Sequence, residues 1–411
     1  MKDIKYYGIK PKKIIGPDGE VVFPYHVNSV ILPSGFTVTA TIANGSFSGP
    51  SEILENHEAA GLITPNEGYS LPSSITVSGA TSQYDQDTGE VTISNPTSDV
   101  TIEATCPVAS YPITVSVTGG IYSAPESIQA GGTATVTISA DDGFIFPSSV
   151  TVTGADFTYN GDTGVISLSN PTGSVSVTAV CVEINETLEN NSWETIRKVC
   201  EAGQAANYWS LGDSKNVTGA DGYTRPVKLV HMGDIYNGKK AVFQYWYRTE
   251  NNYVWDAGGS NAVADADIFP MLNVGGDIYV ALMGSELHTQ LGLSGDTTVQ
   301  VSTSGQDATL TTITGKLFLP AEKEITATRA YSSTTEFDAL TTFGYYAAND
   351  NNATRVKHKA SAPEATTDQA YWTRSPYGGS SNLVVGVYSL GGFDNFSASN
   401  AGYGVAPCFA F

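Results

Sequence analysis

Apolar and polar positions alternate with a period of two through much of the first 182 residues, as in Ile75-Thr-Val77 and Val150-Thr-Val152. Successive side chains of a strand point to opposite faces, so this pattern predicts strands with one face buried and one in water. Gly79, Asp87-Thr-Gly89 and Asn95-Pro96 punctuate the runs, because Gly, Asn, Asp and Pro supply the backbone angles that tight turns require. The pattern also recurs. Tyr69-Ser-Leu-Pro-Ser-Ser-Ile-Thr-Val-Ser-Gly79 returns as Phe144-Ile-Phe-Pro-Ser-Ser-Val-Thr-Val-Thr-Gly154, at an offset of 75 residues. Tyr84 then matches Tyr159, Asp87-Thr-Gly89 matches Asp162-Thr-Gly164, Asn95-Pro96 matches Asn170-Pro171 and Cys106 falls on Cys181. A period of this length is one small β-domain and not a solenoid repeat.

Short Thr-, Val- and Ile-rich strands at this spacing predict two immunoglobulin-like β-sandwiches, residues 29–108 and 109–182. Residues 1–28 read as an arm. Pro17-Asp-Gly-Glu20 is a turn between Ile14-Ile15 and Val21-Val22-Phe23, and Lys2, Lys5, Lys10, Lys12 and Lys13 make this the most basic stretch of the chain.

After Val182 the period changes. Trp193, Ile196, Val199 and Cys200 recur at helical spacing behind an N-cap at Asn191 or Ser192, with Gly203 as the stop. A second helix is expected near Asp267-Ile-Phe-Pro-Met-Leu272, among strands at Val227-Lys-Leu-Val-His231 and Lys239-Lys-Ala-Val-Phe-Gln-Tyr-Trp246. Residues 186–411 therefore read as a mixed α+β domain that ends in short aromatic and Gly-rich strands. The fold class expected is mainly β plus α+β.

Composition narrows the function. The chain has 411 residues and is 41% hydrophobic but only 15% charged, with a formal net charge of −21. Charged residues usually make up about 25% of a globular chain, so the balance, filled by Gly, Ser and Thr, suits a β-rich extracellular or particle-surface protein. The negative charge repels polyphosphate and excludes a nucleic-acid partner. No run of about 18 apolar residues predicts a membrane span, and the N-terminus lacks the apolar core of a secretory signal.

Candidate chemistry is sparse. Cys106, Cys181, Cys200 and Cys408 are far apart with no CxxC spacing, so they are expected to be unpaired and buried, with no zinc or disulfide framework. Asp85 and Asp87 lack the spacing of a calcium loop and read as hairpin-turn residues. The five histidines (His26, His57, His231, His288, His358) are scattered outside any catalytic motif. Gly258-Gly259, Gly275-Gly276 and Gly391-Gly392 lack the context of a nucleotide loop. No cofactor, metal or enzymatic activity is expected.

The ordered succession Ser192-Trp-Glu-Thr-Ile, Tyr208-Trp-Ser-Leu-Gly-Asp213, Leu317-Phe-Leu-Pro-Ala-Glu-Lys-Glu-Ile325, Tyr345-Tyr-Ala-Ala-Asn-Asp350, Tyr371-Trp-Thr-Arg-Ser-Pro376 and Gly404-Val-Ala-Pro-Cys-Phe-Ala-Phe411 resembles a C-terminal domain of uncharacterised function common in phages and prophages of Gram-positive gut bacteria. That domain is similar to C-type-lectin-like folds, including the sulfatase-modifying-factor group and retroelement-diversified variable proteins. The resemblance implies a framework of Trp372, Arg374, Ser375 and Pro376 with Gly404, Val405, Pro407 and Phe409. It implies a varying, ligand-facing region at Tyr377 to Asn382, Tyr388, and Phe393 to Tyr403. The oxidase-type relatives use paired cysteines, which no motif here supplies.

The residues themselves agree with that division. Tyr, Ser, Gly and Asn dominate antibody paratopes, Tyr as rigid amphipathic area and the others as adaptable hydrogen-bonding groups. The expected ligand contacts are Tyr377, Asn382, Tyr388, Phe393, Asn395, Phe396, Asn400 and Tyr403, on a scaffold of Trp372, Arg374 and Pro376. The strand beneath is expected to turn Val385 and Val387 inward, leaving Tyr388, Phe393 and Phe396 as exposed anchors.

The function expected is a phage virion-surface protein, assembled in the host cytoplasm, that is a head fibre, capsid decoration or tail fibre. Its arm would dock onto phage particle proteins, two domains would act as spacers, and the tip would bind host-surface or mucus glycans or proteins. A homo-oligomer, favourably a trimer, is expected. The competing readings are a purely structural decoration protein and a bacterial surface adhesin.

Overall fold

The computed structural model describes residues 35–306, 309–365, 367 and 369–411. The N-terminal arm, residues 1–28, lies outside them. Strand accounts for 42% and helix for 15%, so the protein is mainly β, built from several small sheets. The described chain forms two compact units. One takes in residues 35–112, 126–133 and 169–174, and the other residues 113–125, 134–168 and 175–411.

In the first unit, strands Glu52–Leu54, Gly35–Ala43, Val100–Thr105 and Thr76–Ser78 make one sheet in that order. A second sheet orders Gly45–Ser48, Glu58–Pro65, Glu90–Ser94 and Thr81–Tyr84. Gly35–Ala43 runs parallel to Val100–Thr105, so the repeat's first and last long strands lie side by side. The predicted alternation is realised: Ile53, Val100 and Ile102 of one sheet and Ile63, Val91 and Ile93 of the other bury into a single core. Burying such a side chain stabilises by about 1.5–3 kcal/mol each.

The second repeat reproduces this pairing in the second unit. Strand Ser110–Thr118 runs parallel to Val175–Val180 from Ile113 onward, and Thr151–Thr153 pairs on the far side of Val175–Val180. The offset seen in the sequence extends to individual bonds. Tyr84 donates to the Pro72 carbonyl at 2.8 Å, and Tyr159 donates to the Pro147 carbonyl at 2.9 Å. Asp85 Oδ1 accepts from the Asp87 amide, and Asn160 Oδ1 from the Asp162 amide. Asp85 is thus a turn acceptor, and the amides of Asp87 and Thr88 hold its carboxyl below the usual range. Asn95 and Asn170 sit at φ of 50° and 48°, the left-handed region that Asn tolerates better than other side-chain-bearing residues.

The rest of the second unit begins where the period changes. Helix Trp193–Glu201 is capped by Ser192, whose Oγ accepts from the Thr195 amide at 3.0 Å, and Gly203 at φ 71° ends it. Trp193, Ile196, Val199 and Cys200 are all buried, as their spacing predicts. The expected second helix is a single turn, Ile268–Met271. A sheet of Ser214–Thr218, Thr224–Ile235, Lys239–Tyr245 and Cys408–Ala410 lies against the first helix. Trp193 meets Phe243 and Phe409 edge-on at 5.8 and 5.6 Å, geometry that aromatic quadrupoles favour. A second sheet carries Tyr371–Pro376, Leu383–Val387 and Phe393–Ser397.

Cys106, Cys181, Cys200 and Cys408 are free and buried, and burial raises each thiol above its ordinary pKa. Titration of the unreduced protein in denaturant should therefore count four thiols, while the folded protein reacts slowly. A count of two or fewer would reveal a disulfide and contradict this arrangement.

Candidate ligand-binding surface

Strand Tyr371–Pro376 is buried at all six positions. Both of its faces are covered, because Tyr371 packs in one hydrophobic cluster of the unit and Trp372 in the other. Its polar side chains are bonded individually. Trp372 Nε1 donates to the Tyr253 carbonyl at 2.8 Å, Thr373 Oγ1 to Val385 O at 2.6 Å, and Ser375 Oγ accepts from the Glu322 amide at 2.9 Å. Arg374 pairs with Glu324 through two hydrogen bonds, and its other groups donate to the carbonyls of Gln300 and Leu319 at 2.9 and 2.7 Å. Burial alone would depress the guanidinium, but the Glu324 carboxylate outweighs it and holds Arg374 above its ordinary pKa.

Glu324 has further donors. The Tyr236 hydroxyl reaches Oε1 at 2.8 Å and the Ala321 amide reaches Oε2 at 2.8 Å. Neighbouring Glu322, also buried, takes the amides of Ala330, Tyr331 and Ser332, which folds the following loop over it. Buried Glu336 accepts from the Ser302 amide at 2.7 Å. Its burial raises its carboxyl pKa against that bond.

Beyond Pro376 the backbone emerges. Gly378, Gly379, Ser381 and Asn382 are exposed and Tyr377 is half-buried, its ring edge-on to Tyr331 at 5.7 Å. Asn261 Nδ2 holds this turn by donating to the carbonyls of Ser380 and Leu383 at 2.7 and 2.8 Å.

The eight expected contact residues separate into two groups. Leu383 pairs with Ser397 and Val387 with Phe393, so the turn at 377–382 and the turn at 388–392 lie at opposite ends of one five-residue strand, about 16 Å long. Tyr377, Asn382 and Asn400 belong to the first end, where the Ala398 amide donates to Asn382 O. Phe396 and Tyr403 adjoin them, with ring centroids 4.3 Å apart, and Tyr403 lies 4.8 Å from Trp372. Tyr388 and Phe393 belong to the other end. Alternation also puts Phe393 and Asn395 on the face opposite Phe396. The structure thus brings together Tyr377, Asn382, Phe396, Asn400 and Tyr403, and sets Tyr388, Phe393 and Asn395 apart.

Two expectations are corrected. Val385 and Val387 are buried, but so are Val384 and Gly386, so the strand is covered on both faces and does not alternate. Phe393 and Phe396 are half-buried, the first against the cluster of Tyr371 and Val387, the second against Trp372. Tyr388 alone of the three anchors is exposed. A loop that sequence reasoning set aside joins the first end: the Trp255 and Asp256 amides donate to Ala398 O at 2.9 and 3.0 Å, bringing Gly258, Gly259 and Ser260 beside Ser399. Its Gly-Gly-Ser composition was the available signal.

Truncation should follow this placement. Tyr388→Ala is expected to leave the denaturation midpoint of the unit nearly unchanged, within about 0.5 kcal/mol. Phe396→Ala and Tyr403→Ala should each destabilise by about 1–3 kcal/mol, and Trp372→Ala by about 3–5 kcal/mol. Denaturant unfolding of the four variants checks this, and equal effects across them would contradict it.

Residues 288–411 match a domain of unknown function, the family DUF6273. No curated protein matches the chain. The family-like stretch contains both partners of the Arg374–Glu324 pair and the whole sheet that carries the exposed turns, whereas Tyr253, the Gly258–Ser260 loop and Asn261, which brace that sheet and its first turn, lie outside the matched residues.

Proposed function

We propose that this protein is a phage virion-surface protein, a head fibre, capsid decoration or tail fibre, whose C-type-lectin-like tip binds host-surface or mucus glycans or proteins. The tandem immunoglobulin-like repeats act as spacers and the N-terminal arm docks onto the particle. The observation that carries the reading is the abrupt passage from six consecutive buried residues, Tyr371–Pro376, to exposed Gly, Ser and Asn with half-buried Tyr. A rigid frame that presents adaptable hydrogen-bonding groups beside rigid aromatics lowers the entropy lost on binding while leaving recognition tunable.

The contact surface in this reading is the end formed by Tyr377, Asn382, Asn400 and Tyr403, with the Gly258–Ser260 loop beside it. Aromatic faces flanked by amides suit sugars, through ring stacking and bonds to hydroxyls, and equally suit a protein epitope. A negatively charged chain, at −21, favours neutral or cationic partners over anionic ones.

The test is binding of the full chain to a glycan array, to mucin and to host cells, alongside Tyr377→Ala and an Asn382→Ala/Asn400→Ala double variant. The parent should bind at least one of these, and each variant should lose tenfold or more, the double variant at unchanged melting temperature and Tyr377→Ala while still folded but with a modest loss of stability, since its ring packs on Tyr331. A parent that binds none favours the purely structural decoration protein, and variants that bind like the parent place the contact elsewhere.

A further inference from the structure

On the Glu324 side of the ion pair the second unit holds a concavity of about 680 Å³, within the range of about 300–1,000 Å³ usual for small-molecule sites. One wall is the hairpin of Thr297–Ser302 and Leu310–Gly315. Its Val299, Val301 and Ile313 turn towards the core, and its Gln300 and Thr312 lie directly opposite each other on the outward face. The other walls are the turn at 234–238, which carries Tyr236, and the segment 339–341.

The charges in this concavity are already matched. Glu324 is paired with Arg374, and Asp234 with Lys240. His231 accepts the Gly344 amide at Nδ1 at 3.3 Å, which requires the neutral Nε2–H tautomer. What remains is neutral and polar. The Gln300 amide and the hydroxyls of Thr312 and Thr341 bond no other protein group among the described residues. Tyr236 supplies an aromatic ring, and Leu340 an apolar rim.

Tyr236 carries a second mark. Its φ is 52°, in the left-handed region, where the other four non-glycine residues among those described are all Asn. A bulky residue there is an outlier, and such strain persists where the surroundings over-determine it, commonly at binding sites. Here the hydroxyl bond to Glu324 and an edge-on contact with Phe318 at 5.2 Å hold the ring in place.

We infer that this concavity is a second binding site, for a neutral saccharide unit. Its hydroxyls would be met by Gln300, Thr312, Thr341 and His231 Nε2–H, with the Tyr236 ring as the apolar contact. An anionic sugar would find no unpaired cation among the residues that line it.

The experiment is saturation-transfer NMR and calorimetry on the full chain with maltotriose, cellotriose and tri-N-acetylchitotriose as neutral probes and sialyllactose as the anionic one. At least one neutral trisaccharide should bind and sialyllactose should not. Gln300→Ala, Thr312→Val and Thr341→Ala, all at exposed positions, should each weaken binding tenfold or more at unchanged melting temperature. The titrations are repeated in the Asn382→Ala/Asn400→Ala background, which disables the surface proposed above, so that the remaining binding reports this site alone. Silence with all neutral probes, preference for sialyllactose, or binding that survives the three wall variants would overturn the inference.

Discussion

The second unit is organised around one ion pair. Arg374 and Glu324 lie at 0% and 1% side-chain exposure, where taking each charge out of water costs several kcal/mol. The pair is tolerable because nearly every lone pair and N–H is used: the carboxylate takes Arg374, Tyr236 and Ala321, and the guanidinium adds the carbonyls of Gln300 and Leu319. These bonds join the strand of the framework, a helical turn, a hairpin and the strained turn at Tyr236. A pair so committed specifies position more than it adds stability. It fixes where strand 371–376 runs, and through it where the chain emerges at Tyr377.

Rigidity below and adaptability above follow from the same cause. Side chains on both faces of 371–376 are buried and bonded, so the strand has no freedom left to give. The turns at 377–382 and 398–403 hold Gly, Ser, Asn and Tyr, bonded mainly to one another or to Asn261. Substitutions at the exposed positions Gly378, Gly379, Ser381 and Asn382 leave the frame intact, whereas Ala398 and Tyr403 pack against it. Gly404 marks the boundary, since a Cβ at that position would run into the buried Arg248 guanidinium.

Much of the fold was legible in the sequence because it is local. Period-two alternation and Asn/Gly turns revealed the repeats, and the hydrogen bonds of Tyr84 and Tyr159 follow the same offset. Helical spacing located Trp193–Glu201. The helices of four to six residues, such as Glu322–Ile325 and Thr334–Ala339, are too short to show a period. Glu324 and Arg374 are separated by 50 positions, so no local pattern links them. Leu383-Val-Val385 is a continuous apolar run, the mark of a strand covered on both faces, and reading it as alternation placed Phe393 and Phe396 too far from the core. Lys357 was also invisible: it is fully buried, with Nζ 3.4 Å from the centre of the Trp246 ring and 3.0 Å from the Tyr346 hydroxyl.

If the ion pair positions the framework, its two partners must be energetically coupled. The direct measurement is a double-mutant cycle of Arg374→Met and Glu324→Leu, read by denaturant unfolding of the second unit. Each single variant strands a buried charge and should destabilise by about 3–5 kcal/mol, whereas the double variant should lose far less than their sum. Additive losses, or single variants that each lose under about 1 kcal/mol, would contradict the account.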